Sequence, residues 1–169
     1  MATGFTKYWA KSEKHGVAEV SDMLATTAGH IENVRVAEDI DNGSFVSLDT
    51  FEAGDVWKAK KPATAEAIYL IASSEDIHED FSPKARAVEN FYNEKGDVAR
   101  AYQLFARDKF ALSKEAFADG ASPAVGKYLD FSKGYKAAIA AEAPTAGPVA
   151  KIYDIAPTGV FRVVVEKII

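Results

Sequence analysis

The sequence predicts a mainly β protein: an antiparallel sandwich or partly open barrel with one or two short helices and an N-terminal arm. Three observations carry that expectation. Short runs rich in Val, Ile, Phe and Tyr recur along the chain. Gly, Asp, Asn and Pro punctuate them roughly every ten residues, the rhythm of sandwiches and barrels. The last two runs, AKIYDIA and GVFRVVVEKI, face each other across Pro157-Thr158-Gly159 as an antiparallel pair.

The elements follow in order. Residues 1–29 mix aromatics, lysines and small residues without a sustained period and are expected as an N-terminal arm or extension. Phe5, Tyr8 and Trp9 fall within five positions there. Such a cluster either packs back on the body or docks on a neighbour, since exposed aromatic groups mark contact sites. A β-rich domain spans 30–169. Val34 and Val36, then Val46 and Leu48, are expected to share one face of a hairpin turned at Asn42-Gly43, a dipeptide suited to tight turns. Phe45 would then lie on the polar face beside Ser47 and Asp49, covered by the N-terminal segment or by a second sheet, or facing a partner. Val56–Ala59 opens a third strand that Pro62 interrupts, and the apolar run AIYLIAS (67–73) suits a strand buried on both faces.

Residues 73–97 form a long polar insertion into the domain, acidic before Lys95, with Ile77, Phe81, Phe91 and Tyr92 as apolar anchors. A loop of that length usually serves an interface or a lid. Strand candidates resume at VARAYQLF, DKFALS and GKYLDFSKGYKAAI. A short helical turn is expected within Lys114–Gly120 and a turn-rich connector at 143–148. Gly43-Ser-Phe-Val-Ser-Leu is echoed by Gly126-Lys-Tyr-Leu-Asp-Phe. The echo suggests one β device used twice, with glycine admitting the unusual backbone at the strand entrance.

Chemistry is constrained by what is missing. With no cysteine, disulfides, thiolate catalysis, Fe–S clusters and Cys-type zinc sites are excluded. The net charge of −5 and scattered lysines and arginines argue against nucleic-acid binding. No stretch approaches the roughly twenty apolar residues of a membrane span, and no apolar core of a signal peptide opens the chain. The expectation is a soluble protein made in a cytoplasm, without a membrane partner. Glu75, Asp76, His78, Glu79 and Asp80 have metal-ligand chemistry but not the spacing of a defined loop, so no metal site is assigned. Asp49, Asp55, Asp108 and Asp130 border strands, where turn-forming roles explain them without a catalytic pair. His15, His30 and His78 lie near no G-x-S-x-G, and phosphate-loop patterns are absent. No catalytic residue and no cofactor are assigned. Phe45, Trp57, Tyr69, Tyr128, Phe131 and Tyr135 would serve either core packing or a glycan or peptide groove.

The segments IENVRVAEDIDNGSFVSLD (31–49), GDVWKAKKPATAEAIYLIASSE (54–75), GDVARAYQLFARDKFALSKEAF (96–117) and VGKYLDFSKGYKA (125–137), with the closing pair, carry a resemblance. Over residues 30–169 their order resembles the small accessory virion proteins of tailed bacteriophages, of the capsid decoration or head-fibre type. The resemblance implies a structural virion protein that is made in the host cytoplasm and placed on the outer capsid surface. It would bind the major capsid protein, with other copies of itself or a fibre protein as further partners, and perform no catalysis. The residues expected to make contact are Phe5, Tyr8 and Trp9, then Phe81, Phe91 and Tyr92. The alternative is a ligand-binding β module for a surface glycan or peptide, also without catalysis.

Overall fold

The computed structural model describes residues 14–75 and 90–168. Phe5, Tyr8, Trp9 and Phe81, with Asp76, His78, Glu79 and Asp80, lie outside the described residues.

Eleven strands are described: β1 (Ala18–Glu19), β2 (Ile31–Arg35), β3 (Phe45–Glu52), β4 (Val56–Lys60), β5 (Tyr69–Ile71), β6 (Val98–Gln103), β7 (Lys109–Leu112), β8 (Tyr128–Asp130), β9 (Ala138–Ala140), β10 (Val149–Ile155) and β11 (Phe161–Lys167). Helical structure is slight: α1 (Ala25–Ala28) and 3₁₀ turns that include 114–116 and 131–133. The strands form two layers. β2-β4-β3-β5-β6 close into a five-stranded barrel, and β1-β7-β11-β10-β8-β9 form a six-stranded sheet against it.

The expected hairpin between 34–36 and 46–48 does not form. β2 instead pairs in parallel with β4 (Val34 opposite Trp57) and antiparallel with β6 (Ile31 opposite Tyr102 through Arg35 opposite Val98). β3 pairs with β4 and β5. The barrel is closed rather than partly open, and one of its pairs is parallel. The four residues nonetheless share one face. Val34, Val36 and Val46 pack in one cluster with Ile40, Ala59, Tyr69, Ile71, Ala99 and Ala101, and Leu48 packs against it. Strand alternation then puts Phe45, Leu70 and Tyr102 on the outside of the barrel. There they meet Phe110, Leu112, Leu129, Ile152, Val163 and Val165 from the six-stranded sheet and Phe131 from the 3₁₀ turn that follows β8.

Phe45 is therefore covered by the second layer. It is 0% exposed, with its ring 4.7 Å from that of Phe131 and 6.0 Å from that of Phe110. Burying a phenylalanine contributes about 1.5–3 kcal/mol, and edge-to-face pairing adds about 0.5–1.5 kcal/mol.

The echo between Gly43 and Gly126 is a real structural repeat, and it extends to four copies. At 41–44, 94–97, 105–108 and 124–127 the fourth residue's N–H donates to the first residue's C=O, at 2.9 to 3.2 Å. The third residue has positive φ in each case: Gly43 at 85°, Gly96 at 94°, Arg107 at 77° and Gly126 at 86°. That residue's N–H donates to the carbonyl of a single residue on the neighbouring segment, Ile71, Val36, Val165 or Ile152 respectively. The same residue's N–H returns a bond to the carbonyl of the turn's fourth residue. Two residues thus oppose one, the G1 bulge, which bends a strand and raises its twist. Each turn leads directly into a strand: β3, β6, β7 and β8. Each opposing residue is a buried β-branched aliphatic. In two copies an aspartate at the fourth position also accepts the first residue's N–H, Asp97 from Glu94 and Asp108 from Phe105.

Within the segment expected as an arm or extension, residues 14–29 lie against the body. β1 pairs with β7, and Met23 and Ala25 are buried in the shared core. Asp108, 3% exposed, also accepts the Leu24 N–H at 2.8 Å, fastening α1 to the third bulge.

The four copies differ in what surrounds them. A Cβ on Gly43 would sit 2.6 Å from the Ala116 Cβ, whereas one on Gly126 meets nothing within 4 Å. Gly126→Ala is expected to cost about 1–2 kcal/mol, the left-handed penalty alone. Gly43→Ala adds overpacking of about 1–3 kcal/mol. Arg107→Gly removes the penalty but loosens the unfolded chain, for a net gain of up to about 1 kcal/mol. Urea midpoints at constant m-value rank the three variants.

Candidate functional site

The stretch from Asp41 to Ser47 is buried at every residue. A polar turn in that position has to satisfy its hydrogen bonds internally, because an unpaired buried group costs about 1–3 kcal/mol. Two side-chain clusters, one on each side of the turn, supply most of these bonds, and among the described residues the Ser44 hydroxyl is left without a partner.

On one side Asn42 and Asn93 interlock. Asn42 Nδ2 donates to the Ser73 carbonyl at 3.0 Å and to Glu75 Oε1 at 3.2 Å, while Asn42 Oδ1 accepts the Ser73 N–H at 3.0 Å. Asn93, 3% exposed, donates to the Ile40 carbonyl and to Asn42 Oδ1, and its own Oδ1 accepts the Ser73 hydroxyl at 2.6 Å. Paired backbone bonds between Ile40 and Asn93 complete the join. Phe91, half-buried, lines a shallow cleft beside this network with Ser73, Ser74, Asp97, Val98 and Arg100.

On the other side stands Asp41. Its Oδ1 accepts from His15 Nδ1 at 2.7 Å. Its Oδ2 accepts the Gly16 N–H at 3.1 Å and Lys136 Nζ at 2.6 Å. Lys136 also donates to the Glu115 carbonyl at 2.8 Å. One carboxylate thus joins the N-terminal segment, the barrel and the six-stranded sheet. Burial pulls the Asp41 carboxyl pKa upward. The hydrogen bonds from Lys136, His15 and the Gly16 N–H, with the Lys136 charge, outweigh burial and hold it below the usual carboxylate range. The His15 ring stacks on Tyr92 at 4.7 Å and 28°. A cleft of about 570 Å³ opens here, its charged rim formed by Lys14, Glu38, Asp39, Asp119 and Lys133, with Tyr135 in its wall.

The sequence-expected residues distribute as follows. Phe91 and Tyr92 lie beside the Asn93 junction, Tyr92 towards His15 and Phe91 towards the smaller cleft. The six aromatics proposed for a groove do not converge. Phe45 and Phe131 lie between the layers, and Tyr69 packs inside the barrel. Trp57 pairs with Phe51, Tyr128 sits under Lys151, and Tyr135 lines the larger cleft near Lys61. Asp55, with φ 62°, forms the β3–β4 turn, and Asp130 caps the 131–133 turn by accepting from Ser132. Asp108 holds backbone amides, so Asp49, Asp55, Asp108 and Asp130 form no converging pair. Glu75 binds Asn42. Among the described residues no group of three or more His, Asp or Glu side chains is placed to hold a metal. The His15–Asp41–Lys136 cluster escaped the sequence reading. Its members are far apart in the chain and carry no spacing signal.

These features define a small two-layer β protein organised around a buried turn. The chain belongs to the YonC prophage protein family, whose model matches residues 11–140. It is accordingly a phage-derived protein. No curated protein and no solved structure matches the chain.

A carboxylate held below its unfolded-state value stabilises the fold above a pKa of about 3.9, and the effect drains as pH falls through the folded value. Asp41→Asn is therefore expected to lower the urea midpoint at pH 7, with the gap to wild type narrowing as pH is taken towards 3. A gap independent of pH would remove Asp41 from the pH response.

Proposed function

We propose that the protein is a structural virion component that binds the outside of a phage capsid through the major capsid protein and decorates or stabilises it. It does so without catalysis and without a cofactor. Family membership supports a phage setting. The observation that carries the finer reading is that the two expected contact residues among those described, Phe91 and Tyr92, lie beside the 40–44 turn: Tyr92 stacks on His15, which bonds Asp41, and Phe91 lines a cleft with Asn93.

The remaining surface is consistent with display in many copies. The sheet edges are blunted by the short strands β1 and β9, which protects against edge-to-edge pairing. The net charge of −5 favours solubility before docking.

The test is binding to purified undecorated capsids. Removing residues 1–13 takes none of the described residues, whereas removing 1–29 would also take β1, Met23 and Ala25. The shorter deletion is expected to weaken capsid binding at least tenfold, about 1.4 kcal/mol. Unchanged occupancy would overturn the role of the N-terminal segment. Failure of the intact protein to bind any capsid, together with quenching of Trp fluorescence by a glycan, would favour the ligand-binding alternative.

A further inference from the structure

The hairpin made by β10 and β11 is a late, separable unit placed at the centre of a sheet. β7 and β8 share no backbone ladder. Their connection runs entirely through β11, which pairs with β7, and β10, which pairs with β8. The hairpin brings Val149, Ala150, Ile152, Phe161, Val163 and Val165 into the core, all 9% exposed or less. Among the described residues one connector, 141–148, joins it to the body, and the first six residues of that connector are exposed apart from half-buried Pro144. The family match ends at residue 140, the last residue of β9, where that connector begins. β9 and β10 lie on opposite sides of β8, about 10 Å apart at ordinary strand spacing. A connector of this length reaches roughly 27 Å when extended.

We propose that hairpin 149–167 exchanges between copies of this chain, one molecule's hairpin filling the slot between β7 and β8 of another. The slot accepts a second copy's hairpin with the same registers, Phe161 opposite Leu112 and Lys151 opposite Tyr128. Closed and exchanged forms therefore share every sheet contact, and only the connector and the copy number per volume distinguish them. A short flexible tether supplies an effective concentration on the order of millimolar. Exchange is accordingly negligible in dilute solution and becomes competitive when copies fold while crowded at that level. The inference does not depend on capsid binding.

The absence of cysteine makes a direct test clean. Ala111 on β7 faces Arg162 on β11. Full-length Ala111→Cys and Arg162→Cys chains are unfolded, mixed, refolded together at about millimolar concentration and oxidised. Exchange places the two cysteines opposite each other across the β7–β11 ladder and so raises the yield of mixed disulfide above that from random collision. The control mixture is Asn33→Cys with Arg100→Cys, a β2–β6 pair wholly within the body. The expected result is several-fold more mixed disulfide from the 111/162 mixture than from the control, falling to the control level on refolding at micromolar concentration. Equal yields at high concentration would overturn the proposal. The Lys109→Cys and Val164→Cys pair repeats the measurement at the adjacent register, so misfolding of one variant does not decide it.

Discussion

The structure depends on a close approach of three backbones. Gly43, in the turn that opens β3, lies against Ala116 in the 3₁₀ turn of the second layer, and Gly16 is wedged beside both. A Cβ on Gly16 would come within 2.5 Å of the Asn42 carbonyl oxygen and 2.9 Å of the Ala116 Cα. Contacts this short leave no room for a side chain at either glycine. They let the barrel and the six-stranded sheet meet through main chain at one point and through Phe45 immediately beyond it. The Asp41 carboxylate and the Asn42–Asn93 amides then supply the hydrogen bonds that water would give an exposed turn. Packing and polar satisfaction act together in burying this turn, with the Ser44 hydroxyl as the unpaired exception among the described residues.

The four bulges explain how short strands close a barrel and cap it with a second sheet. Each tight turn sets a strand going with a local increase in twist. Each places a main-chain pair against a buried β-branched residue, which resists rotamer change. Arg107 shows that glycine is favoured rather than obligatory. Asp108 accepts two amide hydrogens around that turn and so holds the left-handed residue in place. Asp55, at φ 62°, is a second non-glycine residue of this kind, in the exposed β3–β4 turn.

Much of the architecture was legible in the sequence because it is local. Alternation in 45–48 and 34–36 located the barrel-facing residues, and the Pro157–Gly159 turn located the β10–β11 pair. Pairing partners were not legible where they are distant. β2 lies near β3 in sequence, yet it joins β4 in parallel and β6 across more than sixty residues. A parallel neighbour leaves no turn signature to read. Asn42-Gly43 has the composition of an exposed hairpin turn, and nothing in the dipeptide reveals that a second layer will cover it. Of the contact residues expected from sequence, Phe91 and Tyr92 fall on the described body, and their placement beside His15 and Asn93 follows from long-range bonds that no motif encodes.

The position of the last hairpin has a consequence for biosynthesis. Chains are made from the N-terminus, and domains tend to fold as they emerge. Here the barrel can close once β6 has appeared, but the second layer cannot: its two innermost strands follow all the other described strands in the chain. Until then β7 and β8 present unpaired edges, and the aromatic floor around Phe45, Phe110 and Phe131 has no lid. The nascent protein is thus a finished barrel carrying an unfinished sheet, and its most aggregation-prone moment comes just before hairpin 149–167 emerges.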